Sequence, residues 1–157
     1  MKPTPLNRLL IAVAIALAAG SAAAADLTPA APDKLAVARE RIAEGKWVAA
    51  IEELKRVDDS ASADWNNLMG YSHRKAKTPD YAAAERYYDA ALRIDPQHRG
   101  ALEYSGELYL MTGDLARAEQ RLAALDKACR LPCAEYTDLK KAVAAYKANG
   151  NRLVAAP

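Results

Sequence analysis

The 157-residue sequence predicts an all-α chain made of consecutive helix pairs that stack side by side. Three observations predict this fold: alanines recur every 34 residues, apolar residues within each unit follow helical spacing, and no segment shows the period of two expected of a strand. The composition agrees, because 52% hydrophobic residues suit a packed core and seven glycines are too few for a collagen-like chain. A chain of this length holds one modest domain.

The repeat is clearest in the second helix of each predicted pair. Ala50, Ala84 and Ala118 follow one another at intervals of 34 residues. Four further series keep the same interval: Trp47/Tyr81/Leu115, Leu54/Tyr88/Leu122, Val57/Ala91/Leu125 and Lys46/Asp80/Asp114. Within a unit the apolar positions lie 3, 4 and 3 residues apart, which places them on one face of a helix. We therefore expect the small alanines to let neighbouring helices approach closely.

A shorter apolar face precedes each of these helices and predicts the first helix of the pair. Gly70 and Gly106 lie within these first helices, where a missing side chain suits close packing. Asp95 is predicted to cap the start of the third unit. Gly113 is predicted to end that helix, and Asp114 to cap the next one.

The units resemble the tetratricopeptide repeat (TPR) family. The middle unit carries the family pattern at Gly70, Ala84, Tyr88, Ala91 and Pro96, and the other two units match it in part. The resemblance implies an α-α superhelix, a TPR solenoid of about three helix-turn-helix repeats with a C-terminal capping helix. The predicted organisation is a signal peptide 1–25, a flexible leader 26–32, a TPR domain 33–148 (repeats about 33–62, 63–98 and 99–131, capping helix 133–148) and a flexible tail 149–157.

The amino terminus predicts export. Lys2 and Arg8 precede an apolar run at 9–19 and a small-residue segment at 20–25, which together describe a secretory signal peptide cleaved after Ala25. A membrane-spanning helix is the alternative, but it needs about 20 apolar residues and this run is shorter. Without the two basic residues the chain carries 20 basic and 20 acidic side chains, a balance that gives no attraction to nucleic acid. The expected location is the periplasm or outside the cell.

A last helix is predicted after the repeats, with Tyr136, Leu139, Val143 and Tyr146 on one face. Such a face suits a cap, because the final repeat of a stack needs its apolar end covered. If the cap covers that end incompletely, the stack can pair with a second copy, so the oligomeric state stays open.

Cys129 and Cys133 flank Pro132 between the repeats and this helix. In an exported chain the simplest interpretation is a structural disulfide that fixes the return of the last helix. The alternative is a thiol-disulfide redox pair, although the spacing and the all-helical context differ from the thioredoxin-like motif. A zinc site is not expected, since His73 and His98 are far from the cysteines and lack ligand spacing.

No motif of an enzyme is present: the sequence has no nucleophile elbow, phosphate-binding loop or zinc-protease signature. We therefore expect no catalytic residue and no cofactor. The TPR resemblance implies instead that the first helices line a concave groove that binds a protein or peptide. The groove positions carried over from the family are Arg39, Asn67, Tyr71, Arg74, Lys75, Glu103, Glu107, Leu110 and Met111. In this groove Arg74 and Lys75 are expected to face Glu103 and Glu107.

Overall fold

The structure is a computed structural model that describes residues 32–153. The predicted signal peptide, most of the predicted leader and residues 154–157 lie outside the described residues. Residues 32–153 contain helices and no strands, so the all-α prediction is confirmed. The helices are α1 (Ala36–Ala43), α2 (Trp47–Val57), α3 (Ala63–Lys75), α4 (Tyr81–Ile94), α5 (Arg99–Met111), α6 (Leu115–Ala128) and α7 (Ala134–Ala148).

The helices form three antiparallel pairs followed by a single helix. Each helix packs against the next one in the chain, which gives the pairs α1–α2, α3–α4 and α5–α6. Contacts between α1 and α3, α3 and α5, and α5 and α7 align the first helices of successive pairs. The stacked arrangement predicted from the repeat is therefore the observed one, and α7 covers its last pair.

Aspartates start two of the second helices. Asp80 Oδ1 accepts a hydrogen bond from the Ala83 N–H at 2.8 Å, and Asp114 Oδ1 accepts one from the Arg117 N–H at 3.0 Å. Gly113, the residue before Asp114, has a φ of +82°, a backbone conformation that glycine adopts without strain. The predicted ending of α5 and the predicted cap of α6 are both present.

The prediction that Asp95 caps α5 is wrong. The Asp95 N–H still bonds to the Ala91 carbonyl of α4, and its side chain accepts from the Gln97 N–H at 2.9 Å. Asp95 therefore ends α4 and shapes the turn, leaving α5 to begin later. His98 takes the capping role, with its Nδ1 accepting from the Ala101 N–H at 3.0 Å.

The positions singled out by the repeat lie where the helices meet. Ala50, Ala84 and Ala118 have no exposed surface. A Cβ on Gly70 would lie 2.7 Å from the Tyr88 ring, and one on Gly106 would lie 2.5 Å from a methyl carbon of Leu139. These distances are far below van der Waals contact, so the two glycines set how closely the neighbouring helices approach.

Buried side chains form three clusters along the stack, each between consecutive helices. Trp65 joins two pairs, because its ring is buried and its Nε1–H donates to the Leu54 carbonyl at 2.7 Å. The clusters are Leu35, Ala38, Ile51, Leu54, Trp65 and Met69; Ala84, Tyr88, Ala91, Ala101 and Leu108; and Leu102, Tyr109, Leu110, Ala118, Leu125, Leu139, Val143 and Tyr146. The last cluster contains the predicted inner face of α7, which buries Leu139 completely.

The second helices of the last two pairs, α4 and α6, are linked differently from the first helices α3 and α5. No Cα atom of α4 comes within 8 Å of one in α6. Long charged side chains span the gap instead, as Arg117 pairs with Glu85 and Arg121 Nη2 lies 2.9 Å from Asp89 Oδ1. Ion pairs therefore join α4 to α6 where backbone packing is absent.

Candidate functional site

The predicted groove residues lie on the first helices, but most are packed and only some face solvent. Arg39 and Lys75 are exposed, and Tyr71, Glu107 and Met111 are half-buried. The other four are at most 8% exposed: Asn67, Arg74, Glu103 and Leu110. This face of the stack is therefore a shallow surface of close-packed polar and aromatic groups.

Arg74 of α3 lies at the centre of this surface. Its Nη1 is 2.7 Å from Glu107 Oε2 of α5 and 3.8 Å from the Met111 sulfur, although the residue is only 6% exposed. The guanidinium carbon lies 5.4 Å from the centre of the Tyr71 ring and 5.5 Å from that of Tyr104, within cation–π range. The predicted opposition of Arg74 and Glu107 is thus a direct ion pair.

Burial and charge act against each other at this ion pair. Burial disfavours the charged form of Arg74, but the neighbouring Tyr88 and Glu107 outweigh it and raise the pKa of the guanidinium. Tyr88 is fully buried, and burial raises the pKa of its phenol. Arg74 therefore remains charged, with Glu107 as its counter-charge.

Aromatic rings extend this surface across the first three pairs. The Trp47 and Tyr71 ring centres are 5.8 Å apart, and those of Tyr71 and Tyr104 are 4.6 Å apart. Burial, with the nearby charge of Glu103, raises the pKa of Tyr104 to about 12. Sequence reasoning missed Tyr104. Its helical spacing to Glu107, three residues on, was the signal that could have found it.

Two predicted groove residues are not part of this surface. Arg39 is held by Asp33 at 2.7 Å and by Asp64 at 3.1 Å, at the start of α1 and α3. Lys75 points to solvent and makes no ion pair among residues 32–153. The structure therefore brings together Tyr71, Arg74 and their partners on α5 but leaves these two cations apart.

Two buried polar side chains on the same surface have no protein partner. Asn67 and Glu103 are each 8% exposed, and no hydrogen bond or ion pair within the described part of the chain involves the Asn67 amide oxygen or the Glu103 carboxylate. Burial raises the pKa of Glu103 to about 7, and the negative charges of Glu107, Asp138 and Glu135 add to the shift. Arg74 Nε and the Tyr88 hydroxyl oxygen are also enclosed without a hydrogen-bond partner among residues 32–153, so Glu103 differs from them in being a carboxylate without a counter-charge.

Comparison with known proteins identifies the repeat. Residues 79–143 match the family model described as a tetratricopeptide repeat. This part of the chain is a tetratricopeptide repeat segment. No curated protein sequence matches it.

The TPR fold is shared with solved structures of low sequence identity. The Yersinia enterocolitica type III secretion translocator chaperone SycD is 19% identical, with a TM-score of 0.65, 74% of this chain covered and 83% of that one. A second structure, SycD in complex with a peptide of the translocator YopD, is 18% identical, with a TM-score of 0.60 and coverages of 71% and 85%. At these identities the likeness shows the fold.

The cysteines lie where the last TPR pair meets α7. The sulfur atoms of Cys129 and Cys133 are bonded, with Cα atoms 6.0 Å apart. Cys133 precedes the first residue of α7, and its sulfur accepts from the Tyr136 N–H at 3.4 Å. The pair therefore connects the end of α6 to the beginning of α7.

Residues 32–153 contain no group of three or more His, Cys, Asp or Glu side chains placed to hold a metal ion. None of the helices in that range is long and apolar enough to cross a membrane.

Proposed function

We propose that this chain is an exported, non-catalytic TPR scaffold that binds a partner protein through a peptide segment laid along α3 and α5. The observation that carries the proposal is the surface around Arg74. Half-buried Tyr71 and Met111 give it apolar contacts, and the ion pair between Arg74 and Glu107 joins the two helices beneath the peptide. Rigid aromatic groups beside a fixed charge pair are typical of surfaces that recognise polypeptides.

The fold neighbours support a peptide ligand. SycD has the same fold, and one of its structures is a complex with a peptide of its translocator. That complex concerns SycD alone, and the identity with this chain is 18%. It supports the proposal because it shows that a TPR stack of this size binds a peptide.

Export forms part of the proposal and depends on the sequence of residues 1–25. The cysteine pair is consistent with it, since disulfides persist in oxidising compartments such as the periplasm. We assign the pair a structural role because it joins α6 to α7. Thiol labelling of the protein isolated from its compartment, with and without reductant, tests this role. A pair that is oxidised and inactive in insulin reduction supports it, and turnover supports the redox alternative.

Site-specific photo-crosslinking in the native cells tests the binding surface. Lys75 lies outside the packed surface but next to Arg74, at the exposed end of α3, so a benzoylphenylalanine residue in its place is expected to crosslink a partner protein bound there. The same residue in place of Gln120, exposed on α6, is the control and is expected to give no crosslink to that partner. Arg74 is unsuitable for this test, because replacing a buried, paired charge would destabilise the fold.

A loss variant completes the test. Tyr71→Ala removes an aromatic contact from the surface while leaving the pair between Arg74 and Glu107, and it is expected to reduce crosslinking at position 75 several-fold. Equal crosslinking from positions 75 and 120, or no effect of Tyr71→Ala at unchanged helicity, contradicts the proposed surface.

A further inference from the structure

Glu103 is the buried carboxylate of α5 that has no counterpart. The residue is 8% exposed, and residues 32–153 provide no hydrogen bond or ion pair for its side chain. Its carboxylate oxygens are not fully enclosed, so they are accessible from the surface. An anion in this position is accessible to a ligand while most of its side chain is removed from water.

The neighbouring carboxylates are already compensated. Three acidic side chains act on Glu103 through their charge, one from α5 and two from α7. Each has a cation of its own: Glu107 has Arg74 at 2.7 Å, Glu135 has Arg99 at 3.7 Å and Asp138 has Lys141 at 3.7 Å. The negative charge left over on this surface is therefore that of Glu103.

A second unpaired acceptor lies beside it on α3. Asn67 is 8% exposed, and its enclosed amide oxygen has no hydrogen-bond donor. The Asn67 side chain packs over α5, since its Nδ2 would lie 3.1 Å from a Cβ on Gly100. Gly100 lies three residues before Glu103 on the same face of α5. The Asn67 oxygen is itself enclosed, so Glu103 is the acceptor of the two that a ligand can reach.

We propose that the peptide bound by this surface carries a lysine or arginine whose charged head lies against Glu103. The proposal rests on the function proposed above and specifies the chemistry of the ligand. An uncompensated buried carboxylate is unfavourable alone, whereas a cation with several N–H donors supplies both the counter-charge and the hydrogen bonds that it lacks. A neutral or acidic side chain leaves Glu103 without a counter-charge.

The ionisation of Glu103 supports the proposal and gives it a pH dependence. Burial raises the pKa of Glu103 to about 7; the charges of Glu107, Asp138 and Glu135 add to this shift, and the charge of Arg74 opposes it. The carboxylate is therefore largely neutral at pH 6 and largely ionised at pH 8. The ionised fraction rises about tenfold over that interval. Affinity for a cationic ligand is expected to rise with it.

The test uses two five-residue peptides, acetyl-Ala-Ala-Arg-Ala-Ala-amide and its citrulline analogue, which has nearly the same shape without the charge. Each is titrated into the ¹⁵N-labelled protein at pH 8 and followed by amide chemical shifts. We expect the arginine peptide to shift resonances around Asn67 and Glu103 and to bind about fivefold or more tightly than the analogue. Its affinity should fall toward that of the analogue at pH 6, where Glu103 is largely neutral.

Matched variants locate the effect. Glu103→Gln keeps the shape of the side chain and is expected to abolish the difference between the two peptides at both pH values. Glu119→Gln makes the same change at an exposed residue of α6 paired with Lys147 and should behave like wild type. Equal binding of both peptides, shifts confined to another surface, or an unchanged preference in Glu103→Gln would overturn the proposal. Equal binding would still leave peptide recognition intact, and the crosslinking experiment decides that function independently.

Discussion

Close packing of α7 on α5 predicts a strong interaction between two substitutions. A Cβ on Gly106 would lie 2.5 and 2.8 Å from the two terminal carbons of Leu139, which has no exposed surface. Overpacking of this kind costs about 1–3 kcal/mol, and the better helix propensity of alanine returns about 1 kcal/mol. We expect Gly106→Ala to lower the free energy of unfolding by up to about 2 kcal/mol.

The sign of this effect should reverse when Leu139 is shortened. Leu139→Ala alone leaves a cavity and is expected to cost about 2–5 kcal/mol. In that background the new methyl group at position 106 no longer meets the leucine terminus, and its closest remaining neighbour is Arg121 Cβ at 3.3 Å. Gly106→Ala should then stabilise the protein by about 1 kcal/mol, which corresponds to a coupling of about 1–3 kcal/mol.

Urea unfolding of the four proteins, followed by circular dichroism, measures the coupling. Gly70→Ala provides the control, because its methyl group would meet Tyr88 and not Leu139. Its effect should be the same with and without Leu139→Ala. Additive effects of Gly106→Ala and Leu139→Ala would refute the argument that this glycine sets the distance between α5 and α7.

Four further predictions concern the disulfide, the cap, the charges and the helix ends. Replacing Cys129 and Cys133 by serine should lower the free energy of unfolding by about 2 kcal/mol, measured by urea unfolding, because the closed loop is short. Removal of 134–157 should expose the leucines of the last pair and cause aggregation in light scattering; a monomer with unchanged melting would contradict this. The wild-type protein should lose stability as the pH rises from about 5 to about 7, because folding raises the pKa of Glu103 and the native state therefore holds the proton to a higher pH than the unfolded state. Glu103→Gln should abolish this loss. Asp114→Ala should cost about 1 kcal/mol in thermal or urea unfolding, with Lys46→Ala, at a helix start without a side-chain cap, close to neutral.

The packing of the stack could be predicted from the sequence because its determinants are local and periodic. Two determinants can be read directly from the sequence: a small residue every 34 positions, as in Ala50 and Ala84, and an apolar face at helical spacing. Gly106 was found in the same way. The start of α5 was not, because His98 and Asp95 are both able to cap a helix and the end of α4 decides between them.

The binding surface could be predicted only in part, since it depends on contacts between repeats. The family register placed Arg74 and Glu107 on facing helices, and they do form an ion pair. It did not show that Arg74 is buried between two tyrosines, nor that Arg39 is held by aspartates at the start of α1 and α3. Such partners are set by the distance between helices, which no spacing along the chain records.

The ion pairs between α4 and α6 have a consequence for how the last two pairs respond to salt. The first helices pack against one another, whereas α4 and α6 are joined by partly exposed pairs such as Arg121 with Asp89. Salt screens partly exposed charges far more than it weakens apolar packing. Raising the ionic strength should therefore let α4 and α6 move apart while the packing of α3 on α5 holds, so the angle between these two pairs, and with it the surface that α3 and α5 present to a ligand, responds to the salt of the medium.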